Sequence, residues 1–78
     1  MYFETVVRQA CKDKPGVRVF YRTKSGISGD GCLDGYGDDG MLLCVSGFSG
    51  VPSNRFVRFE CLEEILFDDG SLPHTQDS

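Results

Sequence analysis

The chain has 78 residues, 40% of them apolar and 26% charged, with a formal net charge of −4. That length suits one domain, and the balance of apolar to charged residues excludes a chain disordered throughout. No apolar run nears the roughly 18 residues that span a bilayer, so no membrane partner is predicted.

Residues 2–13 read as a helix. Phe3, Val6, Val7, Ala10 and Cys11 recur at three- and four-residue steps, which puts them on one face. Glu4, Arg8 and Lys12 form an i, i+4 charge ladder on the opposite face. Pro15-Gly16 then stops the helix, because proline disfavours helix at the residue before it and lacks an amide hydrogen.

Residues 17–24 alternate with period two: Val17, Val19 and Tyr21 on one side, Arg18, Phe20 and Arg22 on the other. This is a strand pattern. Lys24-Ser25-Gly26 is a turn. Residues 27–36 form a second strand, with Gly29, Gly31 and Gly35 marking bulges or sharp bends. Gly37-Asp38-Asp39-Gly40 is a second turn, and the apolar run 41–45 is the most buried strand. Residues 46–54 read as a loop, with Phe48 and Val51 exposed in it. Residues 55–60 alternate again, with Val57 and Phe59 inward. Residues 61–64 form a helical turn, and 65–67 a last short strand. The domain spans residues 1–70, and residues 71–78 form a flexible tail.

Charge is unevenly placed. Residues 1–26 carry six basic and two acidic side chains, while residues 27–78 carry two basic and ten acidic ones. A clustered but merely solvated surface explains this, as does an acidic face meeting a basic partner. Overall acidity argues against broad nucleic-acid binding, which selects for Lys and Arg. The N-terminal segment places an acid before its bases, the reverse of a secretory signal, and predicts a cytoplasmic protein.

Cys11, Cys32, Cys44 and Cys61 include no C-x-x-C pair, so a zinc site is not indicated. They read as reduced cysteines packed as small hydrophobes, with disulfides the alternative. His74 is the only histidine, lies in the tail, and has no cysteine placed to form a nucleophilic pair with it. The adjacent acids Asp38-Asp39, Glu63-Glu64 and Asp68-Asp69 suit turns better than a glycosidase cleft. Asp30, Asp34, Asp38 and Asp39 lack the spacing of a calcium loop. The glycine-rich stretch 30–40 lacks the lysine and following helix of a phosphate loop. No enzyme activity, metal or cofactor is predicted. Phe20, Tyr36 and Phe56 point outward, where they either pack, meet a protein, or stack on bases.

Helix followed by bent strands resembles the Sm-like small barrel. Residues 31–44 (GCLDGYGDDGMLLC) resemble the first Sm motif: glycine, x, leucine, x, glycine, aromatic, an acidic turn, then a bulky apolar strand. Residues 55–60, leading to Ile65, are similar in position to the second motif. The resemblance implies a mainly β fold: an N-terminal α-helix followed by a strongly bent five-stranded antiparallel Sm-like or SH3-like barrel. Where RNA-binding Sm and Hfq rings have a basic turn between the last two strands, this chain has Cys61-Leu62-Glu63-Glu64, whose acids repel phosphate. The chain also resembles the bacterial Rho-inhibitor family of acidic Sm-like proteins, through Ala10-Cys11, residues 17–21, Ser25-Gly26, and Val57-Arg58-Phe59 with Ile65. That resemblance implies binding to a protein of the transcription machinery.

The leading expectation is a protein-binding regulator that docks Asp34, Asp38, Asp39, Glu60, Glu63 and Glu64 on a basic surface. The alternative is an Sm-like RNA-binding module using Arg18, Arg22, Tyr36, Arg55 and Arg58 on one stripe of neighbouring strands. A third reading is an accessory protein of a phage or mobile element. Either a monomer or a homo-oligomer through edge strands fits.

Overall fold

The computed structural model describes residues 2–46 and 50–75. One helix, α1 (Tyr2–Asp13), precedes β1 (Arg18–Thr23), β2 (Ser28–Tyr36), β3 (Gly40–Ser46) and β4 (Pro52–Arg58). A 3-10 turn at Phe59–Cys61 leads into β5 (Leu62–Phe67), and His74–Thr75 form a short β6. The strands make one antiparallel sheet in the order β4-β3-β2-β1-β5-β6.

The periodicities explain these elements. In α1 the 3.6-residue repeat buries Phe3, Val7 and Ala10, and Glu4 pairs with Arg8 at 2.7 Å on the wet side. In β1 the period of two buries Val19 and Tyr21 and leaves Arg18, Phe20 and Arg22 outside. The core gathers these with Leu33, Met41, Leu43, Val57, Phe59, Leu62, Ile65 and Phe67. It is apolar: no charged or polar side chain of the described residues is buried. At roughly 1.5–3 kcal/mol for each large apolar side chain taken from water, this cluster is the main source of stability.

Three expectations change. The sheet has six strands and is not closed into a barrel. The chain passes from β4 to β5 through the 3-10 turn instead of pairing them, so β4 is left as an edge. Within that passage the Phe59 amide donates to the Asp39 carbonyl and the Lys24 amide to the Cys61 carbonyl. The helical turn expected at 61–64 lies at Phe59–Cys61, because Leu62 is fully buried and opposite Thr23 in β5. The loop expected over 46–54 is shorter: Pro52, Ser53 and Asn54 pair with β3.

The tail expected over 71–78 also differs. His74 and Thr75 pair with Ile65 and Glu64. His74 sits edge-on to Phe67 and shares a 3.0 Å hydrogen bond between Nδ1 and the Tyr2 hydroxyl. The Tyr2 contact comes from α1, at the other end of the chain, and the polar composition of the segment conceals its pairing with β5. Val51 is exposed as expected; Phe48 lies outside the described residues.

Candidate functional site

The β2–β3 connection carries the most distinctive surface. Tyr36 pairs with Met41, and the Gly37 amide donates to the Gly40 carbonyl, so Asp38 and Asp39 sit at the tip of a tight hairpin. Gly40 is needed there for close approach. A Cβ at position 40 would collide with the Val57 carbonyl oxygen and lie 2.9 Å from Phe56 Cε2. The Phe56 ring, 51% exposed, thus lies across the base of the turn, and a Cβ at Gly37 would touch its other edge at 3.9 Å. The result is two exposed aspartates at the tip of a turn whose base lies against an exposed aromatic ring.

The six predicted acids divide into three groups. Asp38, Asp39 and Glu60 come together around a small cavity of about 80 Å³, also lined by Glu4, Arg58 and Phe59. Glu60 is paired there with Arg58 at 3.0 Å. Glu63 and Glu64 lie beside Arg22 instead, at 3.4 and 3.6 Å. Asp34 is the extra residue where the β2–β3 register shifts between Leu33 and Gly35, and it is exposed on β2. The charges therefore do not form a single acidic face. Glu4, from α1, joins the first group, and no local signal in the sequence links it to a turn more than thirty residues away.

The predicted arginine stripe does not form. Arg18 is held by Asp30 through Nη2 at 2.5 Å and Nε at 3.1 Å, and lies over the Phe20 ring. The bond to Asp30 holds the Arg18 guanidinium still more firmly protonated. Arg22 is taken by Glu63 and Glu64, and Arg58 by Glu60. Tyr36 is covered on one face by Arg8. Arg55 donates to the Tyr21 hydroxyl at 3.0 Å. Only Arg18 and Arg55 share a cleft, of about 430 Å³, with Asp30, Cys32 and Cys44.

After this internal pairing, the described carboxylates with no ion pair or hydrogen bond at the side chain include Asp34, Asp38 and Asp39. These exposed ion pairs contribute little to stability, because water and salt screen them. What they do is cancel positive charge locally and leave the hairpin tip negative.

No disulfide joins the four cysteines, and they are not all packed as small hydrophobes: Cys11 and Cys44 are half-buried, Cys32 and Cys61 exposed. Cys32 and Cys61 fall on the wet side of β2 and of the 3-10 turn, a facing set by the position of Leu33 and Phe59 in the core. Phe20 and Tyr36 are exposed at 40% and 45%. No group of three or more His, Cys, Asp or Glu side chains among the described residues is arranged to hold a metal ion. No helix among them is long and apolar enough to cross a membrane. Comparison with protein-family models, with curated proteins and with solved structures finds no match.

Proposed function

We propose that this chain is a non-catalytic, Sm-like regulator that docks the acidic β2–β3 hairpin tip on a basic surface of a larger complex. The observation that carries the reading is the pair Asp38-Asp39, with no ion pair of its own, at the tip of a turn whose flanking glycines lie against the exposed ring of Phe56. Such a site suits arginine: the guanidinium pairs with carboxylate through a planar fork and stacks on an aromatic face. Asp34 on β2, also without an ion pair, extends the negative field. The helix-first order and the acidic hairpin support the Sm-like part of the reading, and the pairing of Arg18, Arg22 and Arg58 with carboxylates weighs against an RNA surface.

The test compares the wild-type chain with a D38K/D39K variant in affinity capture from the source cells, across a salt series. The variant should fold normally, since both side chains are exposed at the tip. A specific partner is expected with the wild type at low salt, with affinity falling at least about tenfold in the variant and with added salt, as screening shortens the reach of these charges. Equal capture by both proteins overturns the proposal. So does tight binding of short RNA by the wild type in an anisotropy titration with no protein partner recovered.

A further inference from the structure

Cys32 on β2 and Cys44 on β3 stand directly opposite each other in the antiparallel register. The register cannot slip easily, because the neighbouring pair Leu33–Leu43 is buried in the core, and a one-residue shift would turn those leucines out. The Leu33 amide donates to the carbonyl of Val17, just before β1, so the alternating backbone of Cys32 turns toward β3. Opposed residues of that kind lie about 5.5 Å apart at Cα, within the roughly 4.4–6.8 Å that a disulfide spans, and closing the bond draws their Cβ atoms together by about 1 Å.

Both sulfurs are free thiols, Cys32 exposed and Cys44 half-buried. Both line the 430 Å³ cleft, so a small reagent reaches them from the same side. The remaining two cysteines lie elsewhere, Cys11 against the core on α1 and Cys61 on the 3-10 turn.

We propose that Cys32 and Cys44 are a redox-responsive dithiol that closes to a cross-strand disulfide on reaction with hydrogen peroxide. The Cys32 thiolate attacks one peroxide oxygen and the O–O bond breaks, leaving a sulfenic acid on Cys32; the departing hydroxide takes up a proton as water. The Cys44 thiol then displaces the sulfenic hydroxyl as a second water, and the S–S bond forms. Two thiols are oxidised by two electrons and one peroxide is reduced to two waters. A small dithiol reopens the bond by exchange. Closure staples the base of the hairpin whose tip carries Asp38 and Asp39, and the chemistry stands whether or not that tip docks on a partner.

The experiment treats the reduced full chain with equimolar peroxide, blocks remaining thiols with iodoacetamide and digests with trypsin. No Lys or Arg lies between Lys24 and Arg55, so both cysteines fall in one peptide, residues 25–55. That peptide is expected unalkylated and lighter by two hydrogens, with Cys11 and Cys61 alkylated, and dithiothreitol should restore it. C32S and C44S, each checked for an unchanged melting temperature, should both abolish the bridged peptide. In urea the bridging rate should fall at least about tenfold, because the sheet no longer holds the thiols together. Two alkylated cysteines in that peptide after peroxide, an over-oxidised Cys32 without a bridge, a bond to Cys61, or an equal rate in urea would each overturn the proposal.

Discussion

Arg55 Nη1 donates a 3.0 Å hydrogen bond to the Tyr21 hydroxyl, joining β4 to β1 across strands that are not neighbours in the sheet. The contact is allowed because Gly29 lies beneath the ring. A Cβ at position 29 would sit 2.5 Å from the Tyr21 oxygen and 2.7 Å from Cζ. One sequence feature, the glycine-rich strand, thus permits a contact between residues far apart in the chain.

Tyr21→Phe should keep the buried ring and lose only the acceptor. Arg55 is exposed and turns to water, so the cost should be about 0.5–1.5 kcal/mol. Gly29→Ala should cost more, about 1–3 kcal/mol, since the ring or β2 must shift to admit the methyl. Urea melts of the two variants decide the order; a Gly29→Ala protein as stable as wild type would show that Tyr21 moves aside freely.

The hairpin glycines should not be equivalent. Gly40→Ala drives its Cβ against the backbone of β4, at the Val57 carbonyl and at 2.9 Å from Arg58 Cα, and should destabilise by about 2–3 kcal/mol. Gly35→Ala meets nothing within 4 Å and should be neutral or stabilising by up to about 1 kcal/mol. Thermal melts of the pair give a direct comparison, and equal melting temperatures would contradict the close approach of β3 and β4 at position 40.

Acid should release one specific tie between the helix end and the segment after β5. Asp69 is paired with Lys14 and accepts from the Ser71 hydroxyl and amide, and these partners, Lys14 first, hold its carboxyl well below the usual range. A depressed folded-state value means that the unfolded chain takes up the proton first. The stabilisation is therefore complete above the unfolded value of about 3.9 and disappears as pH falls through the folded one. Asp69→Asn should melt below wild type at neutral pH, and the gap should close as the pH is lowered from about 4 toward 2. A gap independent of pH would mean that the pairing with Lys14 contributes nothing.

Much of the fold was legible in local pattern. The bounds of α1 follow from its 3.6-residue repeat and Pro15, and the facing of Val19, Tyr21 and Phe20 from alternation. The inward Val57 and Phe59 followed in the same way. The segments misread were polar ones whose structure depends on pairing with a strand outside the segment. Residues 52–54 are polar and turn-prone but are drawn into β4 by pairing with β3. His74 joins the sheet through Ile65 and Tyr2. The candidate site was legible as composition, not as geometry: the acids were visible, but not that Arg22 and Arg58 would occupy half of them.

The sequence by itself determined α1 and the strands with clear alternation, the apolar set that must be buried, and the turn that carries Asp38 and Asp39, because these depend on spacing and on backbone freedom over a few residues. Tertiary structure alone decided that the sheet stays open, which carboxylates keep their charge uncompensated, and that Cys32 faces Cys44. Those outcomes depend on strand order and register. Both are settled by burying a shared core between residues far apart in the chain, which no local pattern encodes.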